Sequence, residues 1–146
     1  MPDSKNSHSG MHSASQFSIL HVEDNEVVAS VVKETLECEG WIVETCDDGT
    51  RALERIASDA HYDLLLLDND LPGINGIEIT RRTRSMAHRQ QTPIVLLSAE
   101  PIERQALKVG ANAALHKPKE IVLVADTISR LLMIQKTNSV DTSGQG

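Results

Sequence analysis

Aromatic side chains are scarce in this chain, which has one Phe, one Trp and one Tyr among its 146 residues. These residues are Phe17, Trp41 and Tyr62, so a folded core must be built mainly from aliphatic side chains. Proteins that bind single-stranded nucleic acid by stacking present several aromatic rings on one surface. The composition therefore disfavours that class of protein.

Basic side chains are also in the minority. The chain has 14 Lys and Arg against 21 Asp and Glu, a formal net charge of −7 at pH 7. An acidic protein is a poor electrostatic partner for a phosphate backbone, so we expect no direct binding to nucleic acid. One arginine cluster is predicted to form a solvated helix face rather than a nucleic-acid patch. It consists of Arg81, Arg82, Arg84 and Arg89.

Cysteines and long apolar runs are the other two scarcities. The two cysteines, Cys38 and Cys46, lack the C-x-x-C spacing of zinc sites and redox motifs. Two free thiols are typical of a reducing compartment, so a cytoplasmic location is expected. The apolar runs are far shorter than the ~18 residues that cross a membrane, so no membrane span is predicted.

Small polar residues dominate both ends of the chain. Residues 1–16 lack the apolar segment of a secretory signal, and we interpret them as a flexible N-terminal tail. Residues 135–146 are interpreted as a flexible C-terminal tail in the same way. The remaining residues, 17–134, suffice for one domain, since domains most often have ~100–150 residues.

Short apolar segments alternate with helical patterns between these tails. Each apolar segment is too short for a helix, and the third is apolar on both faces, as a central parallel strand requires. Five β–α units predict an α/β domain with a doubly wound parallel sheet and helices on both faces. The predicted strands are Phe17–Val22, Trp41–Cys46, Tyr62–Leu67, Pro93–Leu97 and Ala113–His116.

Chemically reactive side chains follow four of the five predicted strands. Glu23 and Asp24 come after the first strand, and Asp68 comes after the third. Ser98 follows the fourth strand and Lys117 follows the fifth. Because the carboxyl ends of parallel strands meet at one edge of the sheet, these side chains are expected to lie together.

Converging carboxylates need a counter-ion. Two unit charges 4 Å apart repel by ~4 kcal/mol at an effective dielectric constant near 20. Carboxylate oxygens suit Mg²⁺, which shares its remaining positions with water and phosphate. Lys117 adds a positive charge, Ser98 adds a hydrogen-bond donor, and a carboxylate beside the metal can act as nucleophile. The combination predicts phosphoryl transfer to an aspartate.

Four segments carry a resemblance to the two-component response-regulator receiver domain, the CheY-like family. They are ILHVEDNEVV, YDLLLLDNDLPGINGIE, PIVLLSAE and GANAALHKP, in that order. The resemblance implies a flavodoxin-like fold with strand order 2-1-3-4-5. It also implies that Asp68 accepts the phosphoryl group, that Ser98 bonds it, that Lys117 pairs with it, and that the Lys117–Pro118 peptide is cis.

The same resemblance implies a magnesium site. Asp24 and Asp68 would hold Mg²⁺ directly, Glu23 would act mainly through water, and the backbone carbonyl of Asp70 would complete the protein ligands. In the family, Asp70 and Glu100 occupy positions that influence the lifetime of the phosphoryl group. We expect hydrolysis over minutes or longer.

The partners are implied by the family as well. A histidine kinase or a histidine phosphotransfer protein would donate the phosphoryl group, and the downstream protein target is not indicated. The chain would be a signalling module rather than an enzyme with an external substrate. Receivers often pair through the face of the fourth helix, fifth strand and fifth helix, so a homodimer is one expectation. The remaining residues are too few for an effector domain, which implies a stand-alone receiver or a fragment of a longer protein.

Two features keep other functions open. Receivers generally have Tyr or Phe three residues before the lysine, but Ala114 stands here. A changed output surface, or a binding-only pseudo-receiver, is therefore an alternative. The LLLLDND segment also resembles the D-x-D motif of haloacid-dehalogenase-like phosphatases, with Asp68 as nucleophile and Asp70 as acid and base. His21, inside the first strand, is interpreted as a hydrogen-bonded strand histidine rather than a ligand.

Overall fold

The computed structural model describes residues 16–145, with side chains as far as residue 136. All but the last residue of the predicted N-terminal tail, 1–16, therefore lie outside the described residues. The strands are β1 (Ser18–Val22), β2 (Ile42–Cys46), β3 (Leu64–Asp68), β4 (Ile94–Ser98) and β5 (Ala113–His116). The α-helices are α1 (Glu26–Glu37), α2 (Gly49–Ala57), α3 (Gly76–Arg84), α4 (Glu103–Lys108) and α5 (Val124–Gln145).

The five strands form one parallel sheet in the order β2-β1-β3-β4-β5. The predicted α/β class and the strand order are both confirmed. In the register, Val22 at the end of β1 pairs with Leu67, so Asp68 lies just beyond that pair. All five strands end at one side of the sheet. We call this side the carboxyl edge, formed by residues 22–25, 68–70, 98–100 and 116–118.

Side chains of the strands alternate between two aliphatic cores. Leu65 and Leu67 of β3 enter one core, where α2, α3 and α4 cover the sheet. Leu64 and Leu66 enter the other, where α1 and α5 cover the opposite face. Because β3 is covered on both faces, Leu64–Leu67 reads as a continuous apolar run, as expected of a central parallel strand.

Three asparagine or aspartate side chains begin helices beside the carboxyl edge. Asn25 accepts a hydrogen bond from the N–H of Val28 and caps α1, as predicted. Asp48 caps α2, also as predicted, and Asn75 caps α3. A cap satisfies backbone donors that the first turn of a helix leaves free. These caps fix where the chain leaves the sheet.

Glycine is required where α3 begins. A Cβ atom on Gly76 would lie 2.7 Å from a methyl carbon of Leu96 and 3.0 Å from the carbonyl oxygen of Asp68. Such distances are shorter than any ordinary contact, so a larger residue would push α3 away from the sheet. The side-chain oxygen of Asn69 accepts from the N–H of Ile77, which holds the same junction.

The ends of two helices differ from the predictions. The helix predicted from Ile77 to His88 stops at Arg84, and Ala87–Arg89 form a separate 3₁₀ turn. At the end of α3, the hydroxyl of Ser85 donates to the carbonyl of Arg82. Such a side-chain bond to the backbone competes with the hydrogen bonds of a continuing helix. The last helix continues past residue 134, the predicted end of the domain, to Gln145. Most of the segment predicted as a C-terminal tail is thus helical, and its flexibility stays a prediction.

Only part of the arginine cluster forms a solvated face. Arg81 and Arg82 are exposed, as predicted, and they pair with Glu78. The prediction is wrong for Arg84, which donates to the carbonyls of Gly110, Arg89 and Thr92. It is also wrong for Arg89, which is 4% exposed and stacks over the ring of Tyr62. Arg89 is buried and Arg84 is half-buried because their guanidinium groups bind carbonyls of neighbouring loops.

The cysteines, the length of the helices and two apolar residues of α5 bear on the surface of the domain. Cys38 is exposed, Cys46 is buried, and neither forms a disulfide. Of the helices in the described part of the chain, none is both long and apolar enough to cross a membrane. Met133 and Ile134 of α5 are 62% and 56% exposed, so they are surface residues and not core.

Candidate functional site

The candidate site lies where β1 and β3 end side by side. From β1 the chain passes to β2 on one side, and it returns to β3 on the other side. Such a reversal of strand order leaves a crevice at the carboxyl edge, and α/β proteins bind ligands there. Glu23 and Asp24 follow β1, and Asp68 is the last residue of β3.

Three carboxylates converge in this crevice. Glu23, Asp24 and Asp68 each place one carboxylate oxygen within 4.8 Å of the other two. Glu23 and Asp68 are buried, at 2% and 1% exposure, whereas Asp24 is exposed. One oxygen of Glu23 accepts from the N–H of Asn25 at 3.1 Å. The other, Oε1, is buried and has no hydrogen-bond partner among the described residues.

This donor set fits a small divalent cation. Magnesium prefers oxygen ligands and is usually bound by one or two carboxylates together with water. A buried carboxylate oxygen without a protein partner is costly, and a cation or its water shell would compensate it. The predicted ligands Glu23, Asp24 and Asp68 are therefore brought together in a way that suits Mg²⁺.

The carboxyl of Glu23 resists ionisation in the protein alone. Burial raises its pKa from 4.5 to about 7, and the nearby Asp68 carboxylate adds to the rise. The hydrogen bond from Asn25 opposes the rise. A cation bound in the crevice would therefore compete with a proton for Glu23 near neutral pH.

Lys117 reaches the crevice from the other side. Its Nζ lies 3.0 Å from Oδ1 of Asp68, and that oxygen also accepts from the N–H of Asp70 at 2.9 Å. Burial disfavours the ammonium ion, but the hydrogen bond and charge of Asp68 outweigh it, aided by Glu23 and Asp70. The pKa of Lys117 is therefore raised, and the side chain stays charged at neutral pH. The Lys117–Pro118 peptide is cis, as the family resemblance implied.

Ser98 and the residue after it face Asp70. The hydroxyl of Ser98 is buried and lies 3.3 Å from Oδ1 of Asp70. The N–H of Ala99 donates to Oδ2 of Asp70 at 2.9 Å, and Lys117 Nζ lies 3.4 Å from the same oxygen. The backbone N–H of Lys117 donates a hydrogen bond to the carbonyl of Ser98 at 2.8 Å, which joins the ends of β4 and β5.

The contacts of the Asp70 carboxylate could not be predicted from the sequence. Asp70 was predicted to contribute its backbone carbonyl, but its carboxylate makes three contacts with Ser98, Ala99 and Lys117. Its role as a carbonyl ligand stays a prediction. The N–H of Ala99 is not predicted by any motif, because a backbone donor leaves no mark in a sequence. Its position directly after Ser98 at a strand end was the one available signal.

His21 departs from its predicted role. The side chain is fully buried, yet neither ring nitrogen has a hydrogen-bond partner among the described residues. Burial lowers its pKa to about 4, with Asp68 opposing the shift and Lys117 adding to it. His21 is therefore a neutral ring beneath the site, and the prediction that it is hydrogen bonded is wrong.

A cleft of about 300 Å³ lies beside Ala114, lined also by Glu100, Ile102 and His116. A larger side chain at position 114 would border the same space. The structure thus leaves an open surface next to the loop that follows Ser98.

The family model for the response regulator receiver domain matches residues 19–129. The chain belongs to the response regulator receiver domain family. Receiver domains are signalling modules of two-component systems, and membership in this family disfavours the haloacid-dehalogenase-like alternative. The receiver fold explains why the site lies at the ends of β1 and β3.

Named relatives of the receiver domain include full-length regulators. The chain is 37% identical to the uncharacterized transcriptional regulatory protein YkoG of Bacillus subtilis, over 88% of this chain and 55% of that protein. It is 30% identical to the two-component response regulator ORR3 of Oryza sativa, over 79% of this chain and 90% of that protein. The receiver domain therefore spans about half the length of YkoG.

Solved structures agree with the fold. The receiver domain of sensor histidine kinase PA1611 from Pseudomonas aeruginosa is 29% identical, with a TM-score of 0.72. The similarity covers 80% of this chain and 98% of that one. That structure has a magnesium ion coordinated in its active site cleft.

Proposed function

We propose that this receiver domain accepts a phosphoryl group on Asp68 from a phosphohistidine of a histidine kinase or a phosphotransfer protein. The phosphorylated form would then bind a downstream protein differently from the unphosphorylated form. The observation that carries the proposal is the buried Asp68 carboxylate, 3.0 Å from Lys117 and grouped with two further carboxylates.

The proposed transfer is a single displacement at phosphorus. A carboxylate oxygen of Asp68 attacks the phosphorus, and a new P–O bond forms as the P–N bond of the donor breaks. The electron pair of the broken bond stays on the imidazole nitrogen, which takes up a proton from solvent. Dephosphorylation ends the signal. Water attacks the phosphorus, the bond between phosphorus and the Asp68 oxygen breaks, and the free carboxylate and inorganic phosphate remain.

Charge neutralisation is the main task of the site in this reaction. Bound at Glu23, Asp24, Asp68 and the Asp70 carbonyl, Mg²⁺ would supply positive charge to the transferred group. Lys117, whose ammonium lies 3.0 Å from Asp68, would neutralise negative charge on the phosphoryl oxygens as the carboxylate becomes esterified. Ser98 would donate its hydroxyl to the same group.

Labelling with a small phosphoryl donor tests this proposal. The full chain is incubated with acetyl phosphate and Mg²⁺, and its intact mass is followed with time. We expect wild type to gain one phosphoryl group, and we expect Asp68→Asn to gain none. Asp126→Asn removes an exposed carboxylate from α5 and serves as a matched control that should behave as wild type.

The same experiment distinguishes a receiver that is phosphorylated from a binding-only pseudo-receiver. Equal labelling of wild type and Asp68→Asn would exclude Asp68 as the acceptor. No labelling of either protein, by acetyl phosphate or by a phosphorylated histidine donor, would favour a pseudo-receiver. Loss of the label within seconds would contradict the expected lifetime of minutes or longer.

The surface of α4, β5 and α5 supports a proposed homodimer. Leu107 of α4 is 56% exposed, and Met133 and Ile134 of α5 are exposed to a similar extent. Exposed apolar groups of this kind favour a protein contact. Met133→Glu should lower the dimer fraction of phosphorylated protein in sedimentation, whereas Val31→Glu on α1, at a position 55% exposed, should not.

A further inference from the structure

The carboxylate of Asp70 occupies a set of donors that has the composition of an oxyanion site. Ser98 supplies a hydroxyl, Ala99 a backbone N–H, and Lys117 an ammonium, and all three face this one side chain. Neutral and charged donors that converge on a point bind any small anion with oxygen acceptors. A phosphoryl group on Asp68 would present oxygens of the same kind.

The hydrogen bonds of the Ser98 hydroxyl indicate that its proton is directed at Asp70. It accepts a hydrogen bond from the N–H of Glu100 at 3.0 Å, so its own proton is free to point at Asp70. The loop after β4 is therefore already drawn towards an anion. Lys117 divides its ammonium between Asp68 and Asp70, at 3.0 and 3.4 Å.

The side chain of Asp70 is also placed so that it can turn away from these three donors into solvent. Its side chain is 36% exposed, whereas that of Asp68 is 2% exposed. Its backbone N–H donates to Asp68, and this hydrogen bond does not involve the side chain of Asp70. Rotation into solvent would release Ser98, Ala99 and Lys117 without dismantling the loop.

From these contacts we propose that Asp70 is an internal anion, which fills the subsite for phosphoryl oxygens until the donor displaces it. The inference rests on the proposed function of Asp68. A carboxylate and a phosphoryl group repel each other and need the same donors, so only one can hold them at a time. The fraction of molecules with Asp70 turned away then limits apparent affinity, because only that fraction is competent to bind.

The test measures binding of beryllium fluoride, a phosphoryl mimic, to the full chain in the presence of Mg²⁺. Asp70→Asn keeps the size of the side chain and removes its charge. We expect it to bind about tenfold more tightly than wild type, a change that a competent fraction of about one tenth would produce. With acetyl phosphate, the apparent KM should fall by a similar factor while the maximal rate stays within about twofold.

A matched control distinguishes occupation of the three donors by Asp70 from the effect of removing any negative charge near the site. Glu103→Gln removes one negative charge from the first turn of α4, just beyond the same loop, and the side chain is exposed. We expect its affinity for beryllium fluoride to stay within about twofold of wild type. Asp70→Ala should act like Asp70→Asn and should speed amide exchange at Ala99 in the absence of Mg²⁺ and donor. A merely structural role would lower the maximal rate and leave the apparent KM unchanged.

Three results would overturn the inference. In the first, Asp70→Asn and wild type bind beryllium fluoride equally; in the second, Glu103→Gln gains as much as Asp70→Asn. In either case labelling of wild type at Asp68 would leave the proposed function standing. In the third, no variant binds the mimic or is labelled by acetyl phosphate, and both the inference and the proposed function fail. Binding by Asp70→Asn alone would support the inference in its strongest form.

Discussion

Two edges of the sheet treat buried polar groups differently. At the amino edge, formed by residues 58–63, 89–93 and 110–112, the guanidinium of Arg89 donates to the carbonyls of Ile56, Ser58 and Ala60. At the carboxyl edge, one oxygen of Glu23 is buried without a partner among the described residues, and so are both ring nitrogens of His21 just beneath it. The amino edge is thus a satisfied network that holds the fold together. The carboxyl edge keeps unpaired polar groups, and a bound cation would compensate the oxygen of Glu23.

The comparison implies opposite signs for mutations at the two edges. Removing a donor from the amino edge leaves carbonyls without partners, which costs stability. Removing an unpartnered group from the carboxyl edge relieves a cost and should raise stability.

Arg89→Met should have the largest effect. It removes donors from three carbonyls and the cation above the Tyr62 ring, while keeping an unbranched apolar side chain. We expect the free energy of unfolding to fall by about 3 kcal/mol, measured by urea denaturation. Arg81→Met, at an exposed position of α3, should change it by less than ~0.5 kcal/mol. Equal effects of the two substitutions would contradict a structural role for the amino edge.

His21→Leu should stabilise the protein. The substitution replaces a buried ring, whose two nitrogens have no partner among the described residues, by an apolar side chain of similar size. We expect a gain of about 1–2 kcal/mol at pH 7. The gain should grow as pH falls from 6.5 towards 4, because the unfolded chain protonates His21 at 6.5 and the folded protein only near 4. A loss of stability on substitution would show that the ring has a favourable role.

Magnesium should stabilise the folded protein by mass action. At a concentration ten times the dissociation constant, the gain is about 1.4 kcal/mol, seen as a rise in Tm. Asp24→Asn should reduce the rise, because one of the three clustered carboxylates is lost. Potassium chloride at matched ionic strength controls for screening. An equal rise in Tm with either salt would exclude a specific site.

Glu23→Gln should have the smallest effect on stability at pH 4.5 and a clear dependence on pH above it. In metal-free solution the wild type loses stability as pH rises from 4.5 to about 7, because the unfolded chain ionises Glu23 first. Gln cannot ionise, so the variant should gain on wild type steadily across this window, with most of the gain reached by pH 7. Parallel pH profiles for the two proteins would contradict the raised pKa of Glu23.

Much of the carboxyl edge could be predicted from the sequence because its signals are local. Asp24, Asp68 and Lys117 stand directly at the ends of apolar segments, and parallel strands bring such positions together. The strand order, in contrast, is implied by the family resemblance alone. Lys117 lies 3.0 Å from Asp68, and Asp24 and Asp68 place carboxylate oxygens within 4.8 Å of each other, so the expectation that these side chains lie together is met.

The amino edge could not be predicted because its partners are remote along the chain. Arg84 binds carbonyls up to 26 residues away, and Arg89 binds carbonyls up to 33 residues away. Backbone carbonyls have no sequence signature, so a buried arginine and a solvated one look alike. The missing partners of His21 and the contacts of Asp70 likewise depend on packing and not on residue type.

The close contact at Gly76 restricts how this domain can vary. The position lies against the carbonyl of Asp68, so no Cβ atom fits there without moving the segment that carries Asp70. Gly40 also has an unusual backbone, with φ of 90°, but nothing lies within 4 Å of a Cβ atom there. A library of random substitutions would therefore retain glycine alone at position 76 and accept asparagine at position 40. The tolerance of a site to mutation is set here by crowding, even more than by backbone angle.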